Sequence, residues 1–344
     1  MKAALAIESS NTRGMGHLFR SFQYVDYLES AGIEYVYLIN DDAVARSMLD
    51  YKGITYQVVD YEDTDSDWEK NIIEKEKITI WFNDKYTTTI EMAKHIKDVG
   101  IPFVCIDDIG EGAECADMYF AGMIYPTLKK GLGRKNYCGN EYIVLSKELD
   151  NYKRIRTNNN HKKIAITMGG SDPHEVTEAV VKELLELEKK TKNEDQISDH
   201  ELSYDVSIVI GPSYKKREEL ERINNGKIEI YQNLDSLFAF LYDHDLVITG
   251  GGGTCCEAAA MGLPALIIAN ASHEINTGRY MQEMGVAVYL GDHSNWDREQ
   301  LRKIVRSDNI GVGLDAEQMS RRGMELFDTN ATDRIWTTIL KEYR

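Results

Sequence analysis

Leu246-Val247-Ile248-Thr249-Gly250-Gly251-Gly252-Gly253-Thr254-Cys255-Cys256-Glu257-Ala258-Ala259-Ala260-Met261-Gly262-Leu263-Pro264-Ala265-Leu266-Ile267-Ile268 reads as a strand, a glycine loop, a short helix and a second strand in succession. Leu246–Thr249 and Ala265–Ile268 are apolar runs of strand length bounded by turn residues. Between them a small-residue helix near Gly253–Met261 is closed by Gly262-Leu263-Pro264. Two apolar strands joined by a helix predict a parallel pair, buried on both faces. Four consecutive glycines lose much conformational entropy on ordering, and a turn needs only one or two. The excess predicts that something bulky and anionic approaches the backbone at Gly251, Gly252, Gly253 and Thr254. Glu257, one turn into the helix, is placed to accept two ribose hydroxyls, although an acid in a first turn also stabilises a helix unaided.

The same rhythm extends in both directions. Upstream, Ile164–Met168, a helix over His174–Lys190, Val206–Ile210 and Ile228–Tyr231 complete a second α/β domain over 164–344. The first half repeats it with strands Ala3–Ile7, Tyr35–Ile39, Thr55–Val59, Ile78–Phe82, Phe103–Ile106 and Tyr142–Leu145. Helical spacing lies between them at His17–Ser30, Val44–Tyr51 and Thr89–Asp98. Residues 151–163, polar and poor in apolar side chains, read as a linker after a first domain over 1–150. Lys189–His200 reads as a charged surface insertion, and the tail Ala316–Tyr343 as helix packing back on the first domain. The fold class is therefore α/β, with two Rossmann-like parallel-sheet domains expected to enclose a cleft.

Composition sets outer limits. The 344 residues carry a net charge of −17, with 42% hydrophobic and 28% charged residues, the make-up of a soluble globular protein. The longest basic run, Lys215-Lys216-Arg217, is followed by two glutamates, which argues against a nucleic-acid partner. The longest apolar run is broken by Gly262 and Pro264, so no integral membrane segment is expected. Five cysteines without metal-type spacing suit the cytoplasm, with neither a metal nor a cofactor implied.

Chemistry concentrates after the strands. Gly14-Met15-Gly16-His17-Leu18-Phe19-Arg20 turns from the first strand into a helix whose start offers free N–H groups and positive potential. That potential disfavours an imidazolium, so His17 is expected as a neutral base, with Arg20 one turn on along the same face. Gly14, Gly16 and Arg20 are the expected substrate contacts. Asp107 and Asp108, ending the strand Phe103–Ile106, are expected to face the cleft. In Gly169-Gly170-Ser171-Asp172-Pro173 the glycines admit a phosphate, Ser171 donates its hydroxyl or caps the helix, and Pro173 suits the first turn. The polar loop Asn270–Asn276, with Asn270, His273 and Asn276, lies at a strand end and suits a sugar or its phosphate. Asp63-Thr64-Asp65-Ser66-Asp67 reads as a solvated helix entry.

Taken together these motifs resemble the GT-B architecture of nucleotide-sugar glycosyltransferases. The run from Gly250 to Pro264 is similar to the donor site of the UDP-GlcNAc transferase of peptidoglycan synthesis, in which the glutamate matching Glu257 binds ribose and the glycine loop binds diphosphate. Ser9-Ser10, Gly14–Arg20, Asp107-Asp108 and Met168–Asp172 resemble, in order, the UDP-sugar hydrolases of pseudaminic acid biosynthesis (PseG/SpsG-like). The resemblance implies release of UDP from UDP-2,4-diacetamido-2,4,6-trideoxy-β-L-altropyranose, with His17 directing water at the anomeric carbon. Nucleotide-binding residues would then be Gly169, Gly170, Ser171, Asp172, Gly251, Gly252, Gly253, Thr254 and Glu257. The chain departs from that family at Ile7-Glu8, where Arg and Asp are usual, at Ser146, where Arg is usual, and at Asn270–Asn276, where an Asn-Gln pair is usual. Transfer of the sugar to an acceptor hydroxyl is the alternative, and a catalytically silent nucleotide-sugar sensor is a third reading.

Overall fold

The computed structural model describes residues 1–9, 15–122, 132–157, 162–194 (side chains to 187), 204–306 and 315–343. The chain forms two compact units, Met1–Lys147 with Thr329–Arg344, and Glu148–Asp328.

Unit 1 runs β1 (Lys2–Ile7), α1 (Gly16–Ser30), β2 (Glu34–Ile39), α2 (Ala43–Lys52), β3 (Tyr56–Val58), α3 (Trp68–Glu76), β4 (Ile80–Asp84), α4 (Ile90–Val99), β5 (Phe103–Ile106), β6 (Met118–Ala121) and β7 (Lys135–Cys138). The strands form one parallel sheet in the order β3-β2-β1-β4-β5-β6-β7. Being covered on both faces, β1 is apolar and buried from Ala3 to Ile7 without alternation. Helix α1 buries Leu18, Phe22, Val25 and Leu28, three or four residues apart on one face. The expected strand Tyr142–Leu145 is not one. The sheet is completed instead by β6 and β7, neither of which is among the expected strands; β7 carries Lys135 and Asn136 among its four residues and lacks an apolar run.

Unit 2 contains β8 (Lys162–Thr167), α5 (Val176–Glu194), β9 (Tyr204–Ile210), α6 (Arg217–Asn224), β10 (Glu229–Gln232), α7 (Leu237–Tyr242), β11 (Leu246–Thr249), α8 (Gly253–Ala260), β12 (Ala265–Ala269), α9 (Ser272–Glu283), β13 (Ala287–Asp292), β14 (Asn295–Trp296), α10 (Arg298–Arg306) and α11 (Ala316–Leu326). Its sheet repeats the topology of the first, β10-β9-β8-β11-β12-β13-β14, with only β14 antiparallel. Of the expected insertion Lys189–His200, the backbone to Glu194 continues α5 instead of forming a loop, and residues 195–200 lie outside the described residues.

One organisational expectation needs correction. The polar stretch 151–163 is not simply a linker, because Arg156 is buried in unit 2. Its guanidinium donates to the carbonyls of Leu241 and Tyr242 at the end of α7, of His244 just beyond it, and of Met261 after α8. These helix-end carbonyls have no intrahelical partner, so one buried guanidinium closes two helices. The tail is two helices: α11 stays in unit 2, whereas α12 (Ala331–Tyr343) belongs to unit 1. There Trp336 is fully buried, stacked on Phe82 at 5.1 Å and on Tyr27 at 6.3 Å.

Candidate active site

Each sheet reverses its strand order once, between β1 and β4 in unit 1 and between β8 and β11 in unit 2. The carboxyl ends of strands flanking such a reversal are where open α/β sheets receive ligands.

In unit 1, β1 leads to α1 and β4 ends on Asp84, paired in register with Ile7. Gly16 opens α1 behind an N-cap, Met15, that offers no side-chain hydrogen bond, and no described residue lies within 4 Å of the position of an added Cβ. Gly14 lies outside the described residues. His17 is the second helical residue, and its Nδ1 stands 2.5 Å from Asp84 Oδ1. The ring is partly exposed, and Nε2 makes no hydrogen bond to a described residue.

Asp84 is fully buried and takes three further contacts: Arg20 Nε at 2.7 Å, Arg20 Nη2 at 2.5 Å and Tyr24 Oη at 2.9 Å. Burial alone would raise the Asp84 carboxyl, but Arg20 and His17 outweigh it and hold the group well below the usual carboxylate range. The rest of the Arg20 fork donates to Asp107 Oδ2 at 2.5 Å, and Asp107 Oδ1 accepts from the Gly122 amide at 2.9 Å.

This geometry corrects three expectations. Arg20 does not present its charge outward; its fork is engaged by two buried carboxylates. Asp107 holds Arg20 and is itself buried. Asp108 is fully buried and accepts from the Thr88 amide at 3.0 Å, the Gly110 amide at 2.8 Å and Asn83 Nδ2 at 3.2 Å, so it ties β4 to β5 and cannot face a ligand.

In unit 2 the turn after β8 is open. Gly169 has φ 76, and at both Gly169 and Gly170 an added Cβ would meet nothing within 4 Å. Behind the turn, Gly211 is obligatory, since a Cβ there would lie 2.3 Å from the Gly169 and Gly170 carbonyl oxygens. Asp172 does not await a phosphate. Its two oxygens accept from the Val176 and Thr177 amides at 3.0 and 2.8 Å, so it, and not Ser171, caps α5, which starts at Val176 instead of His174. The Asp172 carboxylate also fixes Asn270, whose Nδ2 donates to it at 2.9 Å. Asn270 is consequently buried, and it positions the loop from the interior.

The four glycines have two different explanations. Gly251 donates its amide to Glu274 Oε2 at 3.0 Å, and a Cβ on it would lie 2.5 Å from the Glu274 carbonyl oxygen. Close approach of α9, not of a ligand, therefore accounts for Gly251, and its amide is occupied by an internal anion. Glu274 also accepts from the Asn270 amide at 2.7 Å, joining the two loops. Gly252 caps α8 in an extended conformation with no side-chain bond, and Gly253 is exposed with open space about it. The amides that begin α8, at Gly253 and Thr254, are thus the ones left for an anion.

Glu257 sits half-buried in α8 with no ion pair to a described residue; burial pushes its carboxyl up to about 7, against an opposing hydrogen bond from Thr254. His273 and Asn276 are exposed on the first turns of α9. Cys255 is buried and donates to the Gly252 carbonyl, a packing role. Asp63 accepts from the Asp65 and Ser66 amides before α3, a solvated turn as expected. A depression of about 650 Å³ lined by Tyr204, Tyr231, Phe240 and His244 lies at the other end of β8, β9 and β10, away from these loops.

Three residues here escape sequence reading: Asp84, Glu274 and Gly211. Asp84 at least stands at a strand's carboxyl end, the position that marked Asp107. Glu274 and Gly211 carry no comparable signal.

Residues 164–319 match the glycosyltransferase family 28 C-terminal domain, which coincides with most of unit 2. An uncharacterised protein of Methanocaldococcus jannaschii, MJ1062, is 26% identical over 78% of the chain, and the chain spans only 55% of that protein's length. The spore coat polysaccharide biosynthesis protein SpsG of Bacillus subtilis is 20% identical, covering 85% of this chain and 84% of that protein. Among solved structures, MurG of Acinetobacter baumannii superposes with a TM-score of 0.68 at 14% identity, over 99% of this chain and 100% of that one. The fold is GT-B. The UDP-GlcNAc 2-epimerase of Neisseria meningitidis bound to UDP-GlcNAc shares this GT-B fold, with a TM-score of 0.62 at 14% identity, over 99% of this chain and 100% of that one. No described helix is long and apolar enough to cross a membrane.

Proposed function

We propose that this GT-B chain is a cytoplasmic hydrolase that releases UDP from a UDP-diacetamido-trideoxyhexose on a route to pseudaminic acid or a related nonulosonic acid. The carrying observation is His17: a partly exposed imidazole at the sheet reversal of unit 1, with a carboxylate on Nδ1 and no described partner on Nε2. In this reading Nε2 takes a proton from water as the water oxygen bonds to the anomeric carbon. The bond from that carbon to the β-phosphate oxygen breaks, and its electron pair leaves with UDP. Gly16 and the first turn of α9, with His273 and Asn276, contact the sugar. Gly169, Gly170 and Ser171 and the α8 amides at Gly253 and Thr254 receive the diphosphate charge. Glu257 accepts the ribose hydroxyls, a role suited to a carboxyl with no cation beside it. SpsG, a polysaccharide biosynthesis protein by name, and the UDP-GlcNAc complex of a GT-B epimerase support the substrate class. All five cysteines are free thiols, which supports the compartment.

The second reading, sugar transfer to an acceptor hydroxyl with His17 as base, is favoured by the family 28 match over unit 2. Incubation with the UDP-diacetamido-trideoxy sugar in ¹⁸O-water without acceptor separates the two. Rapid UDP release with ¹⁸O in the sugar is the expected result. Bound but intact nucleotide sugar would rule out hydrolysis of that substrate and leave transfer.

A further inference from the structure

Asp84 has about four lone-pair positions, and four donors fill them: His17 Nδ1 and Arg20 Nη2 at Oδ1, and Arg20 Nε and the Tyr24 hydroxyl at Oδ2. With no exposure, the carboxylate has room for neither water nor substrate. It is braced from the far side as well, because Arg20 is held by Asp107 and Asp107 by the Gly122 amide. We infer that Asp84 is the positioning residue of His17, fixing the ring so that its lone pair lies on Nε2, on the ring edge away from the carboxylate. The inference rests on the reading of His17 as the base.

A carboxylate with every position engaged only accepts, so the imidazole nitrogen 2.5 Å from it carries the hydrogen; Arg20 Nη2 also lies 3.2 Å from that Nδ1, but its shorter contact, at 2.5 Å, is to Asp84 Oδ1. The neutral ring is then the Nδ1–H tautomer with Nε2 as its base. A ring free of this contact would divide between tautomers, and its Nδ1 lone pair would be directed into the protein. Charge acts in the same direction. Asp84, Asp107 and Arg20 sum to −1, and a proton arriving on Nε2 brings the set to zero. Tyr24 on α1 and Tyr37 on β2 also face Asp84, but burial pushes both phenols up, so they add no charge. Arg20 and Asp107, expected as substrate contacts, thereby become the brace of the dyad.

The test is ¹⁵N NMR of ring-labelled histidine in the full chain, recorded where the ring is neutral, beside steady-state hydrolysis of the UDP-diacetamido-trideoxy sugar. The wild-type His17 ring is expected as the Nδ1–H tautomer. In Asp84→Asn the new amide can turn its NH₂ toward Nδ1, and the ring is expected to move to Nε2–H. kcat should then fall at least about 100-fold, with KM and UDP affinity within about threefold, since the lost step is general-base chemistry. A wild-type ring protonated on Nε2 overturns the inference without any variant, so it stands open to refutation even where Asp84→Asn fails to fold. An unchanged tautomer in folded Asp84→Asn, or a kcat within threefold of wild type, overturns it too. If the wild-type chain turns over no such sugar, it is the hydrolase reading that fails, while the tautomer of His17 still decides the role of Asp84.

Discussion

Binding of a UDP-sugar should tighten about tenfold between pH 6 and pH 8, and Glu257 should be the cause. Burial in α8 pushes its carboxyl up to about 7, with no cation among the described residues beside it to restore the charge. Two ribose hydroxyls donating to the carboxylate favour the ionised form, so the bound carboxyl titrates lower than the free one. Binding therefore releases a proton below the free value, and affinity rises with pH until the free carboxyl is ionised. One unit below its midpoint the carboxyl is about one-tenth ionised, and one unit above about nine-tenths. The difference is about tenfold in affinity, or about 1.4 kcal/mol. Calorimetric titration with UDP-N-acetylglucosamine suits the measurement, because its diphosphate is esterified at both ends and does not titrate in this interval. A His17→Asn background removes turnover during the titration. Glu257→Gln in that background should flatten the profile and weaken binding about tenfold at pH 8, as expected for loss of hydrogen bonds to a charged acceptor. A flat profile with Glu257 in place, or the same slope after Glu257→Gln, would refute the ribose assignment.

In the otherwise native chain, His17→Asn should lower kcat at least about 100-fold and leave UDP affinity within about threefold; retained turnover in a stopped assay removes His17 from the chemistry. Trp336→Ala deletes a fully buried ring stacked on Phe82 and should cost about 3–5 kcal/mol in denaturant unfolding of unit 1. An unchanged midpoint would mean that α12 is not part of that core. Gly251→Ala sets a methyl 2.5 Å from the Glu274 carbonyl oxygen, displacing the start of α9 at about 1–3 kcal/mol. A variant as stable as the parent would show that the loop has slack. Arg156→Met removes a buried guanidinium that bonds four carbonyls of unit 2 and leaves the Tyr242 carbonyl without its donor among the described residues, and should destabilise unit 2 by about 1–3 kcal/mol, measured by thermal unfolding.

What the chain discloses in one dimension, and what it withholds, follows from how far each interaction reaches. Apolar runs such as Ala3–Ile7 and Ala265–Ile268 are legible because a strand buried on both faces must be apolar at every position. The glycine turns are legible because backbone conformation is a local property. Side-chain partnerships are not local. Arg20 looks like a free cation until Asp84, on a strand 64 residues away, and Asp107, 87 residues away, are brought beside it. Gly251 looks like a phosphate seat until α9 folds back and Glu274 takes its amide. From the sequence Arg20 is expected on the substrate and Gly251 on the nucleotide; in both cases the donor engages an anion that belongs to the protein. The chain carries a net charge of −17. Its buried carboxylates compete with any ligand for the donors at these strand ends. The groups that remain, the turn at Gly169 and Gly170, the start of α8 at Gly253 and the His17 Nε2 lone pair, are those that no acid among the described residues is seen to engage. A local pattern marks where an anion is held; only the folded chain shows whether that place is already filled.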